Sequence, residues 1–73
     1  MDIRESMIKA LRKRYEAVIE EAKATAEVYL LRPVGIGEHP QFIEELDKLI
    51  NIIADAEYKL TVINNRFDND IPF

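Results

Sequence analysis

The sequence predicts an all-α fold, an antiparallel two-helix hairpin that dimerises into a four-helix bundle. Three observations carry that prediction. Apolar residues recur three and four apart through two long segments, the spacing that keeps one stripe on one helix face. Both glycines and two of the three prolines gather in the short stretch between those segments. The apolar residues also outnumber those that two helices can cover for each other.

The first helix is expected over about residues 3–32. Its stripe runs through Ile8, Leu11, Tyr15, Val18, Ala22, Thr25 and Tyr29, and no strong breaker interrupts it. The turn falls at 33–39, where Pro33 cannot extend a helix and biases Arg32 away from the α region. Gly35 and Gly37 permit positive φ where the chain reverses. Val34 and Ile36 are expected to fold over Tyr29 and Phe42. The second helix is expected over about 40–67. Pro40 suits its first turn, where the missing amide proton costs nothing, and Glu44 and Glu45 sit beside the positive end of the helix dipole. Its stripe is Phe42, Leu46, Leu49, Ile53, Ala56, Leu60, Ile63 and Phe67. A tail at 68–73 follows, and 1–73 reads as one small domain.

Equal arms on a short connection make the helices antiparallel neighbours. Folding the sequence about Gly35 and Ile36 pairs positions whose numbers add to about 71. Tyr29 then meets Phe42, Ala22 meets Leu49, Val18 meets Ile53, Tyr15 meets Ala56, Leu11 meets Leu60 and Ile8 meets Ile63. Large residues face small ones at Tyr15–Ala56 and Ala22–Leu49, as close packing requires. The predicted core is therefore Ile8, Leu11, Tyr15, Val18, Ala22, Tyr29, Phe42, Leu46, Leu49, Ile53, Ala56, Leu60 and Ile63.

A candidate association surface remains: Met7, Ile19, Ala26, Ile43, Ile50 and Ile52, with Val28, Leu30, Leu31 and Val62 adding to the surplus. Chains of 73 residues sit near the lower edge of independent stability and usually need a disulfide, a metal or association. There is no cysteine and a single histidine, His39, so thiol chemistry is excluded and a zinc site is disfavoured. A homodimer is the simplest way to cover the surplus, with a groove on a different protein as the competing partner.

No residue constellation points to catalysis, a cofactor or a metal. Glu16, Glu20, Glu21, Glu44, Glu45 and Asp47 fall mostly opposite the stripe and lack the Glu-x-x-His pattern of di-iron bundles. Glu5–Lys9, Glu44–Lys48 and Asp55–Lys59 are spaced for favourable helix pairs. Glu57 is expected to pair with Arg12 or Arg14, and His39 to begin the second helix. Tyr15, Tyr29 and Tyr58 read as amphipathic packing residues, with Tyr58 off the main stripe. Gly35-x-Gly37 lacks the strand and lysine of a phosphate loop.

The basic run Lys9, Arg12, Lys13 and Arg14 forms a candidate basic patch. It supports an alternative function as a nucleic-acid-associated factor. Against that stand a net charge of −4 and the absence of interleaved aromatics. The leading expectation is a non-enzymatic interaction protein. The first residues are too polar for a secretory signal and no apolar run could span a bilayer, so the expected location is the cytoplasm.

The segment Tyr15-Glu16-Ala17-Val18-Ile19-Glu20-Glu21-Ala22-Lys23, the following Glu27-Val28-Tyr29-Leu30 and the turn Pro33-Val34-Gly35-Ile36-Gly37-Glu38-His39-Pro40 carry a resemblance. So do Glu44-Glu45-Leu46-Asp47-Lys48 and Ala54-Asp55-Ala56-Glu57-Tyr58-Lys59-Leu60. Across these segments the chain resembles short helical-hairpin proteins of tailed bacteriophages, particularly contractile-tailed phages of aquatic bacteria. The resemblance implies a phage source and an accessory protein that acts in the host cytoplasm by association, with a host or phage protein as a possible partner. It brings no activity and no site residue.

Overall fold

The computed structural model describes residues 2–31 and 41–67. Within them the chain forms α1, Ile3–Leu31, and α2, Gln41–Arg66, packed as a helical hairpin with no strand among the described residues. The expected turn at 33–39, with His39 and the glycines, lies outside the described residues, as does the tail at 68–73.

Each helix has identifiable local causes. Asp2 caps α1: its Oδ1 accepts the amide proton of Glu5 at 2.7 Å, and its carbonyl accepts the first helical bond from Ser6 at 3.1 Å. An acceptor at that position satisfies an amide that would otherwise have no intrahelical partner. Alanine, glutamate, lysine and leucine then dominate α1, all strong helix formers. At the far end of α2 the amide of Phe67 donates to the carbonyl of Ile63 at 2.9 Å, and Arg66 sits in the last turn, where a cation complements the dipole.

The pairing register is fixed at both ends. At one end the rings of Tyr29 and Phe42 stack with centroids 5.2 Å apart and planes 28° apart. At the other, Arg4 donates from Nη2 to the carbonyl oxygen of Phe67 at 2.7 Å. Both pairs satisfy the offset of about 71 read from the sequence, so the helices keep one register along about 25 residues, or ~38 Å at ~1.5 Å per residue. Between them, Lys59 lies over the Tyr15 ring, 5.4 Å from its centroid.

The result is a flat rod, 55 × 21 × 14 Å. Its radius of gyration is 16.8 Å, against about 11 Å for a compact domain of this length. Among the described residues only Ala22, Ala56 and Ile63 are buried. Every other residue of the predicted core is half-buried. Thr25 departs from the predicted stripe: it is exposed, and its hydroxyl donates to the carbonyl of Glu21 at 3.0 Å. Facing Leu46 across the hairpin, it turns its polar group back onto its own helix. Phe67, at the open end, is 47% exposed.

Candidate association surface

Two rods touch along a line, so each keeps most of its circumference in water. Residues immediately after the stripe positions emerge on one side of the slab: Arg12, Ile19 and Ala26 from α1, with Ile43, Ile50 and Glu57 from α2. Residues immediately before them emerge on the other: Met7, Arg14, Glu21 and Val28 from α1, with Glu45, Ile52 and Lys59 from α2. Ile52 and Glu21 accordingly border one groove, with Val18, Ala22, Thr25 and Leu49.

The predicted association surface is therefore divided. On the first side Ile19 and Ala26 are half-buried by the hairpin itself, beside Ile43 at 71% and Ile50 at 60% exposure. Met7 and Ile52, also exposed, belong to the second side. Spacing along each helix does not disclose this division. It follows from the antiparallel pairing, which decides which flank of α1 lies beside which flank of α2. Val28, Leu30, Leu31 and Tyr58 are exposed as well, and Val62 is half-buried.

The first side carries a compact apolar patch. Ile19 stands level with Ile50, and Ala26 with Ile43. Toward the open end the same side turns polar at Arg12 and Glu57. Arg12 is half-buried, with its Nε and Nη2 shielded from solvent. Glu57 is exposed and, contrary to the expected pairing with Arg12 or Arg14, makes no ion pair among the described residues.

The predicted basic patch does not form one face. At 100° per residue, Lys9, Arg12, Lys13 and Arg14 fan over more than half of the circumference of α1. Lys13 is engaged by Glu16 at 3.7 Å, and Arg14 points to the opposite side from Arg12. Elsewhere Lys59 pairs with Asp55 at 3.0 Å as spaced, while Lys48 takes Glu45 at 3.3 Å in place of Glu44. No pair with Lys9 is made by Glu5 among the described residues. Its amide instead joins the Asp2 cap.

The described residues contain neither histidine nor cysteine. Among them no group of three or more acidic or imidazole side chains is placed to hold a metal. The grooves between the helices are open and chiefly apolar: the one at the open end is lined by Ile8, Leu11, Tyr15, Ile63 and Phe67, with Lys59 as its one cation. Such a groove offers packing surface rather than a converging set of proton-transfer groups. No helix of the described residues is long and apolar enough to cross a membrane.

A scan of protein-family models finds no match to this sequence, and searches of curated proteins and of solved structures find none either.

Proposed function

We propose that this chain is a non-enzymatic interaction protein whose hairpins pair through the Ile19, Ala26, Ile43 and Ile50 face, making a homodimeric four-helix bundle. The supporting observation is surface area. The hairpin exposes 6040 Å² for 8.5 kDa, whereas a compact monomer of that mass exposes about 4,650 Å². A dimer of ordinary compactness would expose about 7,700 Å², so two copies would have to bury roughly 4,400 Å² between them. That falls within the range of obligate homodimers, roughly 2,000–5,000 Å². The biological setting that fits is an accessory role in a phage-infected cell, acting in the host cytoplasm by binding through helices rather than by catalysis.

Ile50→Asp tests the face. Ile50 is 60% exposed in the single hairpin, so the change spares the intrachain core but places a charge at the centre of the dimer contact. Sedimentation equilibrium of the parent is expected to give about twice the chain mass at micromolar concentration, and the variant a monomer whose helicity does not change with concentration. A parent that stays a fully folded monomer would remove the proposal.

A further inference from the structure

The second side of α1 carries a stripe that the hairpin leaves uncovered. Ile3, Met7, Val28 and Leu31 are 76%, 62%, 55% and 74% exposed, and Ala10, Ala17 and Ala24 between them are exposed as well. Arg14 and Glu21 complete the series, also exposed. The spacing alternates four and three over the whole of α1, the same period as the core stripe but on a different face. This second stripe explains why α1 is the less amphipathic of the two helices.

The order of residues along the stripe is nearly symmetric about Ala17. Reversed on itself, it brings Ile3 level with Leu31, Met7 with Val28, Ala10 with Ala24, and Arg14 with Glu21. Large side chains meet large ones at the two ends, small ones meet in the middle, and a cation meets an anion. We infer that the occupant of this face is the α1 stripe of a second copy, running antiparallel about a two-fold axis at Ala17. The axis makes every pairing occur twice, so two Arg14–Glu21 contacts form, one on each side of the alanines. Alanine at the centre permits close backbone approach, and the opposite charges fix the register in a way that a purely apolar stripe would not. A foreign helix would have no reason to match this symmetry. The inference rests on the reading of the chain as a self-associating hairpin, but it uses a different face from the bundle contact. With both faces occupied, dimers join into a larger assembly.

Charge reversal tests it with the full chain. Arg14→Glu or Glu21→Arg sets like charges against each other twice, and the double reversal restores opposite signs. Circular dichroism checks that all three variants keep the parent's helicity. In sedimentation velocity well above micromolar concentration, where dimers can join, the parent is expected to form species larger than a dimer. Each single reversal should weaken that step at least about tenfold, and the double reversal should recover it to within roughly threefold. Single reversals without effect, or a double reversal that fails to rescue, would overturn the inference. A parent that stops at a dimer, held by Ile50 and indifferent to both reversals, would overturn it while leaving the bundle reading intact. A dimer lost on either reversal but unmoved by Ile50→Asp would support it and displace the bundle face instead.

Discussion

Replacing Ile63 with alanine tests the register on which the hairpin depends. Ile63 is 5% exposed and is the largest of the three buried side chains among the described residues. It lines one groove together with Ile8, Leu11 and Tyr15 of the facing helix. Truncating a buried isoleucine to alanine costs about 2–5 kcal/mol, depending on how far the surroundings collapse into the space. Here the site borders an open groove, and Tyr15 and Phe67 can settle inward, which places the expected loss at about 2–3 kcal/mol. A chain of 73 residues has roughly 4–11 kcal/mol of stability in all, so the change removes a large share. The assay is urea denaturation followed by helical circular dichroism, repeated over a tenfold range of protein concentration because association adds stability by mass action. With a slope of about 1 kcal/mol/M the midpoint should fall by about 2–3 M. A loss below about 0.5 kcal/mol at unchanged slope would mean that Ile63 is not packed between the helices. The antiparallel offset would then be wrong along its whole length.

Two further perturbations probe the ends and the surface. Asp2→Ala removes the acceptor for the Glu5 amide and should cost about 0.5–2 kcal/mol, with amide exchange accelerated in the first turn of α1. Unchanged exchange there would show that the cap is not formed. The hydrogen bond from Lys59 to Asp55 raises the lysine pKa above its ordinary value, the Asp55 charge adding to the effect. The raised value favours the folded state while the amine is protonated. That contribution is present below the unfolded pKa and fades as pH climbs through the higher folded one. A titration of the Lys59 ammonium by NMR should therefore end above that of ordinary lysines, and Asp55→Asn should return it. An ordinary midpoint in the parent would show that the pair does not persist in solution.

The hairpin was legible in the sequence because its signals are local or symmetric. Breakers mark the gap between helices, a three-four period marks each stripe, and folding about Gly35 and Ile36 yields the offset that Tyr29–Phe42 and Arg4–Phe67 both satisfy. Asp2-Ile3-Arg4-Glu5 carried a readable cap signature, an acidic residue three before a glutamate, that spacing of apolar residues alone does not disclose. The association surface was less legible. Ile19 and Met7 look equivalent when apolar residues are merely counted, yet antiparallel pairing sends them to opposite sides of the slab. Lys48 choosing Glu45 over Glu44 was not legible either. Both carboxylates lie within reach on the helix surface, and the energies that separate such exposed pairs are only a few tenths of a kcal/mol.

The incompleteness of this core is a matter of shape more than of length. Two rods in line contact bury only the residues along that line, and two of the three residues buried here are small, Ala22 and Ala56. Lengthening the helices would add buried and exposed surface in the same proportion, leaving the ratio unchanged. Larger side chains on the stripe would push the rods apart and open the flanks. Only further helices around the pair change that ratio, because each new neighbour covers circumference that the first contact cannot reach. The distribution of apolar residues follows this geometry: one flank on each helix is apolar near the closed end, and α1 bears a second stripe along its whole length. A hairpin meant to stand alone would gain solubility from charges at Ile43, Ile50, Val28 and Leu31 without loss to its interior. Keeping them apolar makes physical sense under the proposed association, in which neighbouring copies would cover them.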